Sequence, residues 1–184
     1  LPDKAADVKA FRERMAGAGN LTPKAPTAVS FKACHVNQVS CEWVSPEQTN
    51  TSAVLLYFHG GGYVMGDAVG HRNLSWRLAR ASGMRVLMVN YRLAPETPFP
   101  AALQDATAVF EWLLSRGYAA DKIVIGGDSA GGGLALATLL NLKNLGTDLP
   151  AAAILISPWV DLTLSGTSYI GNKAADPMLT RSAL

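Results

Sequence analysis

The strongest constraint in this sequence is a rhythm. Four short apolar runs, at 53–58 (AVLLYF), 85–90 (RVLMVN), 122–126 (KIVIG) and 151–156 (AAAILI), are separated by segments of helical character. The runs are rich in Val, Ile and Leu and do not alternate, so each suits a strand covered on both faces, as in a parallel sheet. Between them, 71–82, 101–116 and 131–145 read as helices. Strand and helix alternating three times over give βαβ units, hence an α/β fold with a mostly parallel sheet flanked by helices. Upstream, 29–36 and 39–45 alternate well enough to form a strand pair around Asn37-Gln38. Val8, Phe11 and Met15 stand at helical spacing in 3–15, and a loop rich in Gly, Pro and Thr follows at 17–27. That loop separates a short helical arm, 1–25, from the core, 26–184.

Composition narrows the function. The 184 residues fit one domain, with 49% hydrophobic and 16% charged residues, the balance of a globular chain. Net charge is +2 and the basic residues are scattered, so charge gives no support to nucleic-acid or membrane-surface binding. No apolar run approaches the ~20 residues of a membrane span. Cys34 and Cys41 form no metal or redox spacing and read as buried free thiols. No signal peptide is visible, so the location reads as cytoplasmic, although the sequence opens on Leu1 without a methionine.

Two glycine-rich stretches carry the chemistry. Gly127-Asp128-Ser129-Ala130-Gly131 matches G-x-S-x-G and falls between a predicted strand and a predicted helix, the context of a nucleophile elbow. The sharp turn strains the serine backbone, demands small neighbours and lifts the hydroxyl above the sheet. The second stretch, His59-Gly60-Gly61-Gly62, directly follows the 53–58 run. Three consecutive glycines cost chain entropy, and a tetrahedral oxyanion gives a reason for them: it needs converging N–H donors with no side chain in the way. A phosphate loop is the rival, but G-x-x-x-x-G-K-[ST] is absent. His59 invites reading as a general base, yet its position before the loop suits a residue that fixes loop shape by hydrogen bonding.

Together with Tyr91-Arg92-Leu93-Ala94-Pro95-Glu96, Pro98-Phe99-Pro100-Ala101, Asp105 and Ser157-Pro158-Trp159-Val160-Asp161-Leu162, these motifs resemble the bacterial hormone-sensitive-lipase-like (family IV) carboxylesterases of the α/β-hydrolase superfamily. The resemblance covers about 53–184, and 1–25 looks like part of that family's N-terminal helical cap. It implies Ser129 as nucleophile and the backbone N–H groups of Gly61, Gly62 and Ala130 as the oxyanion hole. His59, Gly60 and Asp128 support the motifs, and no metal or cofactor is expected. Arg92 with Glu96 or Asp105 would brace a loop, and Asp161 and Asp176 would be structural.

The triad order in this fold is Ser, then Asp or Glu, then His. All three histidines, His35, His59 and His71, precede Ser129. The resemblance therefore places the acid and the histidine, with the C-terminal strands, outside this chain. A serine without its base is a poor nucleophile, so the segment alone is expected to be inactive or nearly so, with 151–156 as an uncovered sheet edge. The reading is a serine esterase for short- to medium-chain acyl esters of small molecules. Its partner would be a C-terminal piece of the same protein, with a homodimer left open. A catalytically dead binding protein, like the plant gibberellin receptors of the same fold, and an amide hydrolase are the alternatives.

Overall fold

The structure, a computed structural model, describes residues 8–10, 12–13, 25–47, 50–172 and 174–176. Six strands form one sheet: β1 (Val29–Val36), β2 (Val39–Pro46), β3 (Asn50–Phe58), β4 (Met84–Asn90), β5 (Ile123–Asp128) and β6 (Ala152–Ile156). The helices are α1 (Arg72–Ser82), α2 (Ala101–Ser115), α3 (Ala130–Leu145) and the short α4 (Ser168–Gly171). The spatial order is β1-β2-β4-β3-β5-β6. β4, β3, β5 and β6 run parallel, and β1 and β2 join antiparallel at one side. The alternating strand pair and all four apolar runs thus become strands. Residues 8–10 and 12–13 of the expected 3–15 helix are helical, and its remaining positions lie outside the described residues.

Why this order arises follows from the apolar runs. Val54, Leu55, Leu56, Tyr57 and Phe58 on β3 are fully buried, as are Val86, Leu87, Met88 and Val89 on β4. Non-alternating strands must be covered twice. On one face α2 and α3 pack Phe110, Leu113, Leu134 and Leu142 against Leu56, Phe58, Leu87 and Ile125. On the other, Trp76 and Ala79 of α1 pack against Leu55, Tyr57 and Met88. Each buried Leu or Phe here stabilises the fold by roughly 1.5–3 kcal/mol. The strands beside the middle of the sheet therefore cannot slip, and the loops at their C-terminal ends are held in place.

At the antiparallel side, Asn37 takes φ 54 in the β1–β2 turn, a conformation that Asn tolerates. Cys34 and Cys41 face each other across this pair as free thiols, Cys41 buried and Cys34 half-buried. At the opposite side β6 is the outermost described strand, with Ala152, Ala153 and Ile156 exposed. Among the described residues, no helix is long and apolar enough to cross a membrane.

Candidate active site

β5 ends on Asp128 and α3 starts at Ala130, so Ser129 alone makes the turn from strand to helix. Its backbone stands at φ 52, ψ −120. For a residue other than glycine such a conformation costs on the order of 1–3 kcal/mol and lasts only where the surroundings impose it. Here they do. The Ser129 N–H donates to the Ile156 carbonyl at 2.9 Å, and its carbonyl accepts from Trp159 N–H at 2.8 Å and Gly133 N–H at 3.1 Å. The two glycines of the pentapeptide are required by contact: a Cβ on Gly127 would strike the Gly131 backbone, and one on Gly131 would strike the carbonyls of Phe58 and His59.

β3 lies beside β5 in parallel, with Phe58 opposite Gly127. The chain that leaves β3 is therefore delivered next to the elbow. Gly61 takes φ 128 and Gly62 φ 61, and the loop closes through Val64 and Met65 N–H groups donating to the Gly61 carbonyl at 3.1 and 3.0 Å. A Cβ at Gly61 would strike the Met65 carbonyl, so glycine is the residue that fits. Among the described residues, no hydrogen bond engages the N–H of Gly61 or Gly62. The first N–H of α3, at Ala130, has no acceptor within its helix. Three free donors thus belong to the turns on either side of Ser129, an arrangement able to stabilise negative charge.

A polar network joins the two turns. Asp128 Oδ1 accepts from the Gly60 N–H at 3.0 Å and from the Tyr57 hydroxyl at 3.1 Å, and it lies 3.8 Å from His71 Nε2. Burial opposes the charge on Asp128, but the nearby His71 ring and the bonds from Tyr57 and Gly60 outweigh it and hold its pKa below the usual range. Burial and the neighbouring carboxylate push the Tyr57 hydroxyl well up, so it stays a donor. His59 is fully buried, its Nδ1–H donates to its neighbour's carbonyl, Gly60 O, at 2.8 Å, and Nε2 has no partner. Burial holds its pKa down to about 4, so the ring is neutral. It stacks on Tyr91 with centroids 4.3 Å apart, and the Tyr91 hydroxyl donates to His59 O at 2.7 Å.

The histidines are thus accounted for. Among the described residues, none hydrogen-bonds to Ser129 Oγ: His59 turns back into its own loop, His71 bonds Asp67 O at 3.0 Å, and His35 sits on β1, with three strands between it and β5. Arg92 Nε donates to both oxygens of Asp105, at 2.9 and 3.0 Å, and fixes the loop after β4. Glu96 instead pairs with Arg12, at 2.8 Å, and Arg12 also donates to Ala94 O at 2.7 Å, tying the N-terminal arm to this loop. Asp161 folds its own loop by accepting from the backbone N–H groups of Thr163 and Ser165, at 2.9 and 2.8 Å. Among the described residues, no group of three or more His, Cys, Asp or Glu side chains could hold a metal ion. Sequence reasoning missed two members of the network and one support of the elbow. Tyr57 looked like one more apolar strand residue and His71 like the start of a helix, and Trp159 acts on Ser129 through its backbone, which no pattern reports.

The profile of the family described as alpha/beta hydrolase fold matches residues 55–184. An acetyl-hydrolase of Streptomyces hygroscopicus is 45% identical over 149 residues, 81% of this chain and 50% of that protein. An esterase of Acinetobacter venetianus is 37% identical over 164 residues, 89% of this chain and 54% of that protein. A crystal structure of an esterase from the bacterial hormone-sensitive lipase family matches with a TM-score of 0.92 at 40% identity, covering 99% of this chain and 60% of that one. The chain spans about half the length of the curated relatives it matches.

Proposed function

The chain belongs to the alpha/beta-hydrolase fold family, among the hormone-sensitive-lipase-like esterases, and from that membership we propose that it supplies the nucleophile and oxyanion half of a serine carboxylesterase. Ser129 Oγ attacks the ester carbonyl. The N–H groups of Gly61, Gly62 and Ala130 stabilise the oxyanion, and an acyl-enzyme forms that water then hydrolyses. The substrates are small uncharged esters with short to medium acyl chains, in keeping with relatives named acetyl-hydrolase and esterase. The general base and its acid partner come from residues outside these 184. Residues 1–25 form part of a helical cap, a reading that the Arg12 bonds to the loop after β4 favour.

One observation carries this reading: a serine held at φ 52, ψ −120 between β5 and α3, beside a glycine turn whose N–H groups are free. A strand-helix turn without chemistry has no use for that strain. In the intact protein, Ser129→Ala is expected to cut p-nitrophenyl butyrate turnover by roughly 10⁴-fold or more. A variant that keeps more than a few per cent of the parent rate would remove Ser129 from the mechanism.

A further inference from the structure

The loop that carries the oxyanion glycines is pinned at both ends by one oxygen. Gly60, at its start, donates its N–H to Asp128 Oδ1 at 3.0 Å, and His71, which caps α1 at its end, brings Nε2 to 3.8 Å from the same atom. Asp128 immediately precedes Ser129, so the carboxylate that closes the loop is part of the elbow itself. We propose that His71 is a positioning residue, held as the imidazolium, that closes the 60–71 loop onto Asp128 and so fixes the Gly61 and Gly62 donors relative to Ser129. The inference rests on the reading of Ser129 and this loop as nucleophile and oxyanion hole.

The charge state follows from the partners. His71 Nδ1 lies 3.0 Å from the Asp67 carbonyl, which can only accept, so Nδ1 carries a proton. Nε2 faces a carboxylate, so a lone pair there would meet negative charge. Only the doubly protonated ring suits both neighbours. Burial works against the cation, but the Asp128 carboxylate 3.8 Å away and the bond to the Asp67 carbonyl overcome it, and the pKa of His71 is raised above its ordinary 6.5. The other titratable groups around the ring are consistent with one cation there. Tyr57 donates to Asp128, the Asp67 carboxylate accepts from the Gly70 N–H at 2.6 Å, and the adjacent His59 is neutral. The two imidazoles lie with centroids 5.4 Å apart, and placing the charge on His71 alone avoids repulsion between them. Neutral His71 loses its hold on Asp128, the loop gains freedom, and the donors no longer meet the oxyanion in a fixed place.

The test reads protonation and catalysis together, in the intact protein. Long-range ¹H–¹⁵N correlation on ¹⁵N-histidine-labelled protein is expected to show His71, assigned by its loss in His71→Gln, with both nitrogens protonated at pH 6.5. Kinetically, His71→Gln is expected to lower kcat for p-nitrophenyl acetate about tenfold with KM within about twofold, short of the roughly 10²–10³ that follows loss of an oxyanion donor. The parent is expected to lose kcat as pH rises through the His71 pKa, and His71→Lys, which keeps a cation, should recover most of the kcat lost in His71→Gln and show no such fall. A neutral His71 at pH 6.5 overturns the proposal, as does a folded His71→Gln with unchanged kcat. Should the variants fail to fold, the parent spectrum still decides, with the His71 ring then assigned by through-bond correlation to its own backbone. Failure of the esterase reading is recognised separately, by a parent protein in which Ser129 takes up no serine-directed reagent.

Discussion

β3 and β6 both lie beside β5 and both feed the elbow, yet they sit in opposite surroundings. β3 is enclosed: Val54 through Phe58 are fully buried between α1 on one face and α2 and α3 on the other. β6 has β5 on one side, and three of its five residues are exposed, Ile156 by 38%. Next to it, Leu136, Leu139, Leu140, Leu149 and Pro150 line an open apolar groove of about 460 Å³. α3 explains the contrast, because it is apolar nearly all round, as a helix buried on every side would be. Its sheet-facing residues Leu134 and Leu142 are buried, whereas Leu140 is 64% exposed. The lesson concerns the site. What β3 delivers, the glycine loop and the Asp128 network, is built and locked by burial. On the β6 side only the backbone bonds to the Ile156 carbonyl and from the Trp159 N–H engage Ser129, and no general base stands there among the described residues.

The contrast can be broken most forcefully by a pair of truncations in this 184-residue chain. Leu56→Ala, in the enclosed strand, is expected to cost about 2–5 kcal/mol in denaturant unfolding. Leu140→Ala, on the open groove, should stay within about 0.5 kcal/mol. Equal costs would mean that the β6 face is covered and that the two regions do not differ.

Acid gives a smaller effect that sharpens the same point. His59 is neutral with a folded pKa of about 4, against 6.5 when unfolded. Between these values the unfolded chain takes up a proton that the folded chain refuses, so stability should fall as pH drops from 6.5 towards 4 and level off below. His71 runs the other way: its raised pKa stabilises below 6.5, and that contribution is lost as pH rises through the folded value. Denaturant midpoints in parent and His59→Asn, followed from pH 4 to above 6.5, would separate the two, because the His59 slope lies below 6.5 and the His71 slope above it. A parent slope that survives His59→Asn unchanged would remove His59 as its source.

Much of this was legible because burial leaves a pattern. The non-alternating runs gave the parallel strands, and the turn at Asn37 gave the antiparallel pair. Boundaries were less visible where polar or glycine residues extend a strand: β3 begins at Asn50 rather than 53, with a register shift before Val54, and β5 runs on past Gly126 through Gly127 and Asp128. The site was legible as far as backbone chemistry demands glycine. Partners across long separations were not. Glu96 was open between roles, and its partner proved to be Arg12, 84 positions away. Asp128 was read as a positional residue of the elbow. Its bond to Gly60, 68 positions upstream, depends on two strands meeting side by side, which no local spacing encodes.

The most direct test of the central claim is covalent. In the intact protein, a fluorophosphonate should add one equivalent to Ser129, located by peptide mass mapping, and a p-nitrophenyl ester should leave its acyl group transiently on the same residue. Loss of both adducts in Ser129→Ala, with the fold retained, is the result this account requires. A stoichiometric adduct on another residue, with Ser129 unmodified and turnover abolished, would contradict it and assign the reaction to a different nucleophile.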